Sequence, residues 1–333
     1  MTLNRTLPGA TPYVLRAGEG VSHLVAGQVV RTLAGIEQTA GGFGAMVCDA
    51  PLDRGPIPMH WHEREHDTWF CVRGKLQVWS GDESRVLTPG DFAYVEPGGT
   101  HSYQSVAPRT QFFGVVAPGG WEQFFADAGE GWGMTGLPPA DKPFDFSRMG
   151  PAMGKHGIMR VDNPVYAEAT PVGAADQQLP GTPASYFLEA GYGTRRTLLG
   201  HLSTAVLTTR ESAGFIDMRV IEGGHGATMP ALRHADTHLF LYILDGQVAL
   251  TLDGETYQLG SGDSANIPAG TAYATQILSG AARWVATASG GNGAELWDVA
   301  GSDCAAFCFP TEHDRAGDLA NLTRAEQIDV TLA

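Results

Sequence analysis

The sequence predicts an all-β protein in which two similar barrels follow one another in a chain of 333 residues. The length corresponds to about two domains. The 44 glycines and 20 prolines indicate many turns and short strands, which argues against an all-helical fold. A unit of roughly 90 residues also recurs along the chain, as expected when one barrel has been duplicated.

The repeat is found by aligning Gly74 with Gly246, which gives an offset of 246 − 74 = 172 residues. The same offset places His62 on His234 without a gap. It also pairs Pro58 with Pro230, His66 with His238, Glu83 with Glu255, Leu87 with Leu259, and Gly90-Asp91 with Gly262-Asp263.

Other segments are assigned by their hydrophobic pattern. Residues 12–41 alternate in short runs and predict edge strands ahead of the first barrel. Residues 68–87 predict two strands, and the spacing of Trp121, Phe124 and Phe125 predicts a short helix. We therefore expect a first barrel over 1–136, a linker over 137–195 that packs over a barrel mouth, a second barrel over 196–310, and a helical tail over 311–333.

Composition restricts the partners. The 36 Asp and Glu against 21 Lys and Arg give a net charge of −15, which argues against nucleic acid. No run approaches eighteen apolar residues and the N-terminus has no apolar signal core, so we expect a cytoplasmic protein that does not enter a membrane. The cysteines, at 48, 71, 304 and 308, are expected to be reduced thiols, and the last two are weak candidates for pairing or for metal.

Histidines concentrate between Pro58 and His101. Side chains alternate along a strand, so His60 and His62 share one face and both imidazoles can reach one point. Asp67 follows five residues later, and an antiparallel meander can return His101 to the same place. Three nitrogens and one oxygen form a shell that borderline divalent metals accept, so we expect a mononuclear metal site inside the first barrel.

Asp67 can serve as a ligand, bind through water, or act only as a base. Two neighbours compete for its role. Glu65 is interpreted as a solvated charge, and His66 as a residue that either supports the ligands or lies at the pocket rim. The substrate pocket is expected to include His66 together with Met46, Cys48, Trp69 and Tyr103, although ordinary core packing explains the last four equally well.

The second barrel lacks most of these groups. The offset of 172 places Leu232 opposite His60, Leu239 opposite Asp67, and Tyr273 opposite His101. His234 and His238 cannot close a metal shell by themselves, so the second barrel is expected to be structural or to support a homodimer.

Two motifs resemble those of the cupin superfamily. Residues 55–74 read GPIPMHWHEREHDTWFCVRG, against the first cupin pattern Gly-x5-His-x-His-x(3,4)-Glu-x6-Gly. Residues 90–101 read GDFAYVEPGGTH, against a second pattern that ends in Pro-x-Gly-x2-His-x3-Asn. The sequence departs in a shorter first gap, in Asp67 for Glu, in Pro97 one place late, and in Ser105 for Asn. The resemblance implies a bicupin, with two tandem jelly-roll (double-stranded β-helix) barrels and a few short helices in the linker and the tail.

The run from Gly55 to Phe125 further resembles the bicupin quercetin 2,3-dioxygenases. That resemblance implies a divalent transition metal (Fe, Mn, Ni, Co or Cu) held by His60, His62 and His101. Asp67 would take the proton of a flavonol hydroxyl, and dioxygen would open the ring with release of carbon monoxide. The implied partners are a small aromatic substrate and O₂.

Two other classes of function stay open. The first is a non-oxidative cupin isomerase, lyase or hydrolase that uses the metal as a Lewis acid. The second is a binding or storage protein with a vestigial site. Oxygen consumption distinguishes the dioxygenase from both.

Overall fold

The chain folds into two β-barrels, each formed by two facing sheets, as the sequence predicted. The structure is a computed structural model and describes residues 6–52, 55–134, 136–326 and 328–333. Within those residues, no helix is long and apolar enough to cross a membrane.

The first barrel has one sheet in the order β12-β2-β3-β4-β11-β6-β9-β15 and a second in the order β13-β5-β10-β7-β8-β14. The strands, in chain order, are β1 (Tyr13–Leu15), β2 (Val21–Val25), β3 (Gln28–Ala34), β4 (Gly44–Ala50), β5 (His60–Trp61), β6 (His66–Arg73), β7 (Leu76–Ser80), β8 (Glu83–Leu87), β9 (Phe92–Val95), β10 (His101–Ser105), β11 (Thr110–Ala117), β12 (Glu130–Gly131), β13 (Met159–Arg160), β14 (Thr170–Pro171) and β15 (Tyr186–Leu188).

The second barrel has sheets in the orders β1-β23-β20-β25-β18-β17-β16-β26 and β22-β21-β24-β19-β27. Its strands are β16 (Thr194–Leu198), β17 (His201–Leu207), β18 (Asp217–Gly224), β19 (Thr228–His234), β20 (His238–Asp245), β21 (Gln247–Leu252), β22 (Glu255–Gly260), β23 (Ser264–Ile267), β24 (Ala272–Ile277), β25 (Ala281–Ser289), β26 (Ser302–Asp303) and β27 (Val330–Leu332).

Four short α-helices connect or cover the barrels. They are α1 (Gln123–Ala128), α2 (Met149–Lys155), α3 (Leu296–Ala300) and α4 (Arg315–Ala325), with 3₁₀ turns at Phe146–Arg148, Ala174–Asp176 and Gly293–Glu295. The helices predicted near Phe124 and in the tail are α1 and α4, and both bury apolar side chains against the barrel they cover.

The duplication is visible strand by strand. Adding 172 to the bounds of β6 gives the bounds of β20, and adding it to β9 gives β23. Gly74 and Gly246 follow β6 and β20 with the same φ of 78°, and a Cβ at either position would lie 2.6 Å or less from the backbone of the facing strand. Glycine is therefore required at this turn for both its left-handed conformation and its close approach.

The barrels pack against each other through their eight-stranded sheets. Phe113 of the first stacks on Phe240 and Tyr242 of the second, with ring centroids 6.1 and 5.0 Å apart. All three side chains are nearly inaccessible to solvent and belong to one apolar cluster that draws on both halves of the chain. The interface between the two barrels is thus part of one continuous hydrophobic core.

Strands are exchanged between the predicted segments. β1 lies near the N-terminus but pairs with β23 of the second barrel, Tyr13 opposite Asn266. From the predicted linker, β13, β14 and β15 pair with β5, β8 and β9 of the first barrel. From the predicted tail, β27 pairs with β19 of the second barrel. Apart from these strands, we propose the same division of the chain that the sequence suggested.

Candidate metal centre and its cavity

The three histidines of the predicted site are brought together by neighbouring strands of the first barrel. His60 on β5 lies directly opposite His101 on β10 in the antiparallel ladder. His62 follows β5 by one residue, on the face that His60 shares through the alternation of side chains. The ring centroids are 4.3 Å apart for His60 and His101, 5.0 Å for His60 and His62, and 5.2 Å for His62 and His101.

One ligand atom from each of the three rings lies within 4.8 Å of the other two, so this group could hold a metal ion. All three side chains are buried, with exposed fractions of 8, 1 and 2 % for His60, His62 and His101. Burial lowers the pKa of His60, lowers that of His62 to about 3 together with the nearby His60, and holds that of His101 well below its usual value. The imidazoles are therefore neutral at pH 7, the form that binds metals.

Backbone carbonyls orient two of the rings. His60 Nδ1 lies 2.8 Å from the carbonyl oxygen of Pro58, and His101 Nδ1 lies 3.0 Å from that of Gly99. A carbonyl only accepts hydrogen bonds, so both rings carry their proton on Nδ1. Nε2 of each ring then carries a free lone pair, which is the usual arrangement of a metal-binding histidine.

Asp67 lies on β6 beside this group. Its Oδ2 is 3.6 Å from Nε2 of His62 and 3.6 Å from Nε2 of His101, too long for hydrogen bonds. The side chain is buried, and burial, with a smaller contribution from the Glu65 charge, raises the pKa of the carboxyl group well above its usual value. Asp67 is outside the group whose atoms all lie within 4.8 Å, so its place as a ligand or only as a base stays a prediction.

The unpaired atoms at this point fit a cation. His62 Nε2 and Asp67 Oδ2 are both buried without a hydrogen-bond partner, and an unpartnered buried polar atom is costly. Two atoms bound at about 2.1 Å to one tetrahedral ion lie about 3.4 Å apart, close to the 3.6 Å observed. The donor set of imidazole nitrogens and a carboxylate oxygen suits a divalent transition metal.

A cavity of about 270 Å³ opens from the histidines to the surface of the first barrel. Four of the residues predicted for a substrate pocket line it, namely Met46, Cys48, Trp69 and Tyr103. Gln28, which the sequence analysis did not single out, accepts hydrogen bonds at its Oε1 from Tyr103 Oη at 2.9 Å and from Cys48 Sγ at 3.1 Å. Gln28 thus fixes two polar groups of the wall.

His66 does not line this cavity, contrary to the prediction. Successive residues of a strand point to opposite faces, so His66 on β6 points away from Asp67. Its Nδ1 lies 2.6 Å from Tyr94 Oη, and its ring packs against Phe215 of the second barrel at 4.7 Å. His66 lines a separate, more open groove between the barrels, and Glu65 is not among the residues lining the cavity.

The predicted linker supplies part of the cavity wall. Phe146, Met149, Met153 and Ile158 reach over the barrel mouth, and α2 packs on α1. This agrees with the expectation that the linker covers a barrel mouth, but the individual side chains could not be identified because their contacts are distant in sequence. Trp121, Phe124 and Phe125 complete the apolar wall from the other side.

Trp121 also contacts a histidine of the centre. Its Nε1–H donates to His62 Nδ1 at 3.2 Å. An indole N–H only donates, so His62 Nδ1 accepts, and the proton of the neutral ring then lies on Nε2, the nitrogen near Asp67. His62 therefore has the opposite tautomer to His60 and His101, and its proton must leave Nε2 before that nitrogen can bind a metal.

We expect Trp121→Phe to bind the metal about fivefold more tightly, because one hydrogen bond of roughly 1 kcal/mol no longer favours the tautomer with a protonated Nε2. The measurement is competition with a chelator of known affinity. Trp79→Phe is the matched control, since Trp79 Nε1 donates to the Ala167 carbonyl instead. Weaker binding in Trp121→Phe alone would mean that the indole orients His62 for the metal.

The second barrel lacks a comparable centre among the described residues. Leu232, Leu239 and Tyr273 stand at the duplicated positions, and the last two line a cavity of only about 60 Å³. His234 Nε2 lies 2.9 Å from Tyr273 Oη, and His238 Nε2 lies 2.8 Å from Asn266 Oδ1. Both histidines are thus engaged by neighbouring side chains.

Comparison with known proteins matches both barrels to one family. The profile of the cupin domain matches residues 51–110 and 219–287. The chain is 27 % identical over 273 residues to a quercetin 2,3-dioxygenase of Bacillus subtilis (strain 168), covering 80 % of this chain and 79 % of that protein. It is 26 % identical over 334 residues to a quercetin 2,3-dioxygenase of Aspergillus japonicus, covering 86 and 93 %.

Among solved structures, an oxalate decarboxylase of Bacillus subtilis superposes with a TM-score of 0.52 at 15 % identity, covering 86 % of this chain and 77 % of that one. At that identity the likeness concerns the fold. The profile matches fall on the two halves related by the offset of 172 residues, and the similarity to the two dioxygenases extends across both. The chain therefore has the bicupin fold, with two cupin barrels in tandem, and is similar to quercetin 2,3-dioxygenases.

Proposed function

We propose that this protein is a metal-dependent dioxygenase that cleaves a flavonol-like aromatic enol with release of carbon monoxide. The observation that carries the proposal is the convergence of three neutral, buried imidazoles with a buried carboxylate at the inner end of an aromatic cavity. Two curated proteins that are similar over most of their length bear the name quercetin 2,3-dioxygenase. A divalent transition metal is the cofactor that this donor set and these relatives support.

When bound by His60, His62 and His101, the metal supplies a centre that polarises an enol oxygen and is open to a second small molecule. The protein must then remove the enol proton, because only the enolate is electron-rich enough to react with dioxygen. Asp67 is the carboxylate in place to accept it, because it is buried beside the histidines that would hold the metal.

The cavity selects a flat ligand. Trp69 and Tyr103 stand on the wall nearest to His101, with the Trp69 and His101 rings 5.4 Å apart and the Trp69 and Tyr103 rings 6.1 Å apart. Phe112 packs edge-on against Tyr103 at 5.1 Å. Aromatic walls of this kind hold a planar substrate and exclude water from a reactive ring-opening step.

The test is to load the protein separately with Fe, Mn, Co, Ni and Cu, and then to record oxygen uptake with quercetin and with simpler enols. We expect oxygen consumption and carbon monoxide release in equal amounts with at least one metal. Turnover of an enol without oxygen consumption would overturn the proposal in favour of a Lewis-acid isomerase or lyase. No turnover in any metal form would favour a binding protein.

A further inference from the structure

Arg160 stands in the same cross-strand row as two histidines of the metal centre. On the sheet of the first barrel, Arg160 on β13 lies directly opposite His60 on β5, and His60 lies directly opposite His101 on β10. Residues that are directly opposed in an antiparallel ladder project from the same face of the sheet. The Arg160 side chain thus begins on the cavity side, and it lines the cavity.

The charge of Arg160 is uncompensated. Within the part of the chain that the structure describes, its guanidinium makes no hydrogen bond and no ion pair. By contrast, the buried Arg31 and the half-buried Arg85 both lie within ion-pair distance of carboxylates. Arg160 is also the only Lys or Arg among the described residues that line the cavity. A free guanidinium at the mouth of an apolar cavity can bind an anion. Here it is a local positive charge in a protein that as a whole has a net charge of −15.

The cavity therefore has an acidic residue at its inner end and a basic residue at its mouth. Among the described residues that line it, Asp67 is the one acidic residue; it is 5 % exposed and lies beside the histidines, whereas Arg160 is exposed to solvent at the mouth. Neighbouring strands are about 4.8 Å apart, so Arg160 begins two strand spacings, roughly 10 Å, from the His101 backbone. A flat molecule of two or three rings can bridge that separation.

We propose that Arg160 determines specificity for aromatic enols that carry a carboxylate at the end remote from the enol oxygen. The proposal rests on the proposed function, whose reacting end it leaves unchanged, and adds the chemical class of the other end. The guanidinium pairs with the carboxylate through two parallel N–H···O hydrogen bonds, a geometry that arginine offers and lysine does not. A neutral ring of the same shape leaves the guanidinium in water and gains nothing from it.

The test uses a matched pair of ligands, 3-hydroxyflavone-4′-carboxylate and its methyl ester. Dissociation constants are measured anaerobically by calorimetry on metal-loaded protein, so that binding is observed without turnover. We expect the acid to bind the unmodified protein about tenfold more tightly than the ester, as is typical of a charged hydrogen-bonded pair that is partly screened by solvent.

Two substitutions and one control complete the design. Arg160→Gln should weaken binding of the acid and leave binding of the ester unchanged, and Arg160→Glu should make the ester the tighter ligand. Arg210→Gln removes an exposed positive charge on the second barrel and should preserve the preference for the acid. Equal ratios of the two dissociation constants in all four proteins would overturn the proposal.

The failure of this proposal is distinguishable from failure of the proposed function. The preference for the acid could depend on the charge at position 160 in a protein that consumes no oxygen. That result would support Arg160 as the specificity residue and contradict the dioxygenase activity. Oxygen uptake together with the same ratio of dissociation constants in all four proteins would support the dioxygenase activity and contradict the role of Arg160.

Discussion

His101→Ala is expected to lose the metal almost completely. The substitution removes one of three nitrogens that converge within 4.8 Å, and the two remaining imidazoles cannot close a shell. Loss of a residue that merely supports a ligand costs about 10- to 100-fold in metal affinity, so loss of a ligand should cost at least about 100-fold. Elemental analysis after dialysis, together with oxygen uptake, provides the measurement.

His66→Ala is the matched control for this experiment. His66 comes from the same histidine-rich segment and is equally buried. It lies in the groove between the barrels, where its Nδ1 is hydrogen-bonded to Tyr94 Oη. It should retain the metal at the level of the unmodified protein. If His101→Ala retained as much metal as His66→Ala, the three histidines would not be the metal centre.

Asp67→Asn is expected to lower kcat by a factor of about 10² to 10⁴, the range for loss of a general base. Asparagine has nearly the same shape, so the cavity is preserved while the proton acceptor is removed. The buried position of Asp67, 3.6 Å from two imidazole nitrogens, makes replacement of the base by bulk water inefficient. Stopped-flow measurement of enol consumption at saturating substrate gives kcat directly.

Metal content distinguishes the two roles of Asp67. If Asp67→Asn keeps its metal while kcat falls, Asp67 acts as the base; if it loses metal, the carboxylate belongs to the shell. Glu65→Gln is the control, because Glu65 is the competing acid of the same segment and does not line the cavity. An unchanged kcat in Asp67→Asn, or an equal loss in Glu65→Gln, would contradict the assignment of the base.

The repeat and the histidine spacing allowed much of the fold to be predicted. The offset of 172 residues works without a gap because β6, the turn at Gly74, and β9 have counterparts of the same length in the second barrel. The exchange of β1 into the second barrel escaped detection, because an edge strand of three residues has no local signal for the sheet it joins. Strand pairing of that kind is decided by the packed core between the barrels.

The alternation of side chains along a strand predicted the position of a residue only where the direction of a neighbouring side chain was already known. It predicted that Met46 and Cys48 share a face and that Trp69 shares the face of Asp67, and all three line the cavity as well as belonging to the core cluster of the first barrel. The same rule puts His66 on the face opposite to Asp67, and the prediction that His66 lies at the pocket rim neglected this. Adjacency in sequence was mistaken for adjacency in space.

By itself, the sequence determined the all-β duplicated architecture, the three histidines and the candidate base, since these depend on periodicity and on spacing within one meander. Only the tertiary structure decided that Trp121 donates to His62, which linker side chains line the cavity, and that Arg160 stands in the row of His60 and His101. Trp121 and His62 are 59 positions apart in the sequence, and no local pattern encodes contacts of this kind. They form because the two sheets of the first barrel must bury their inner faces against each other and beneath the linker.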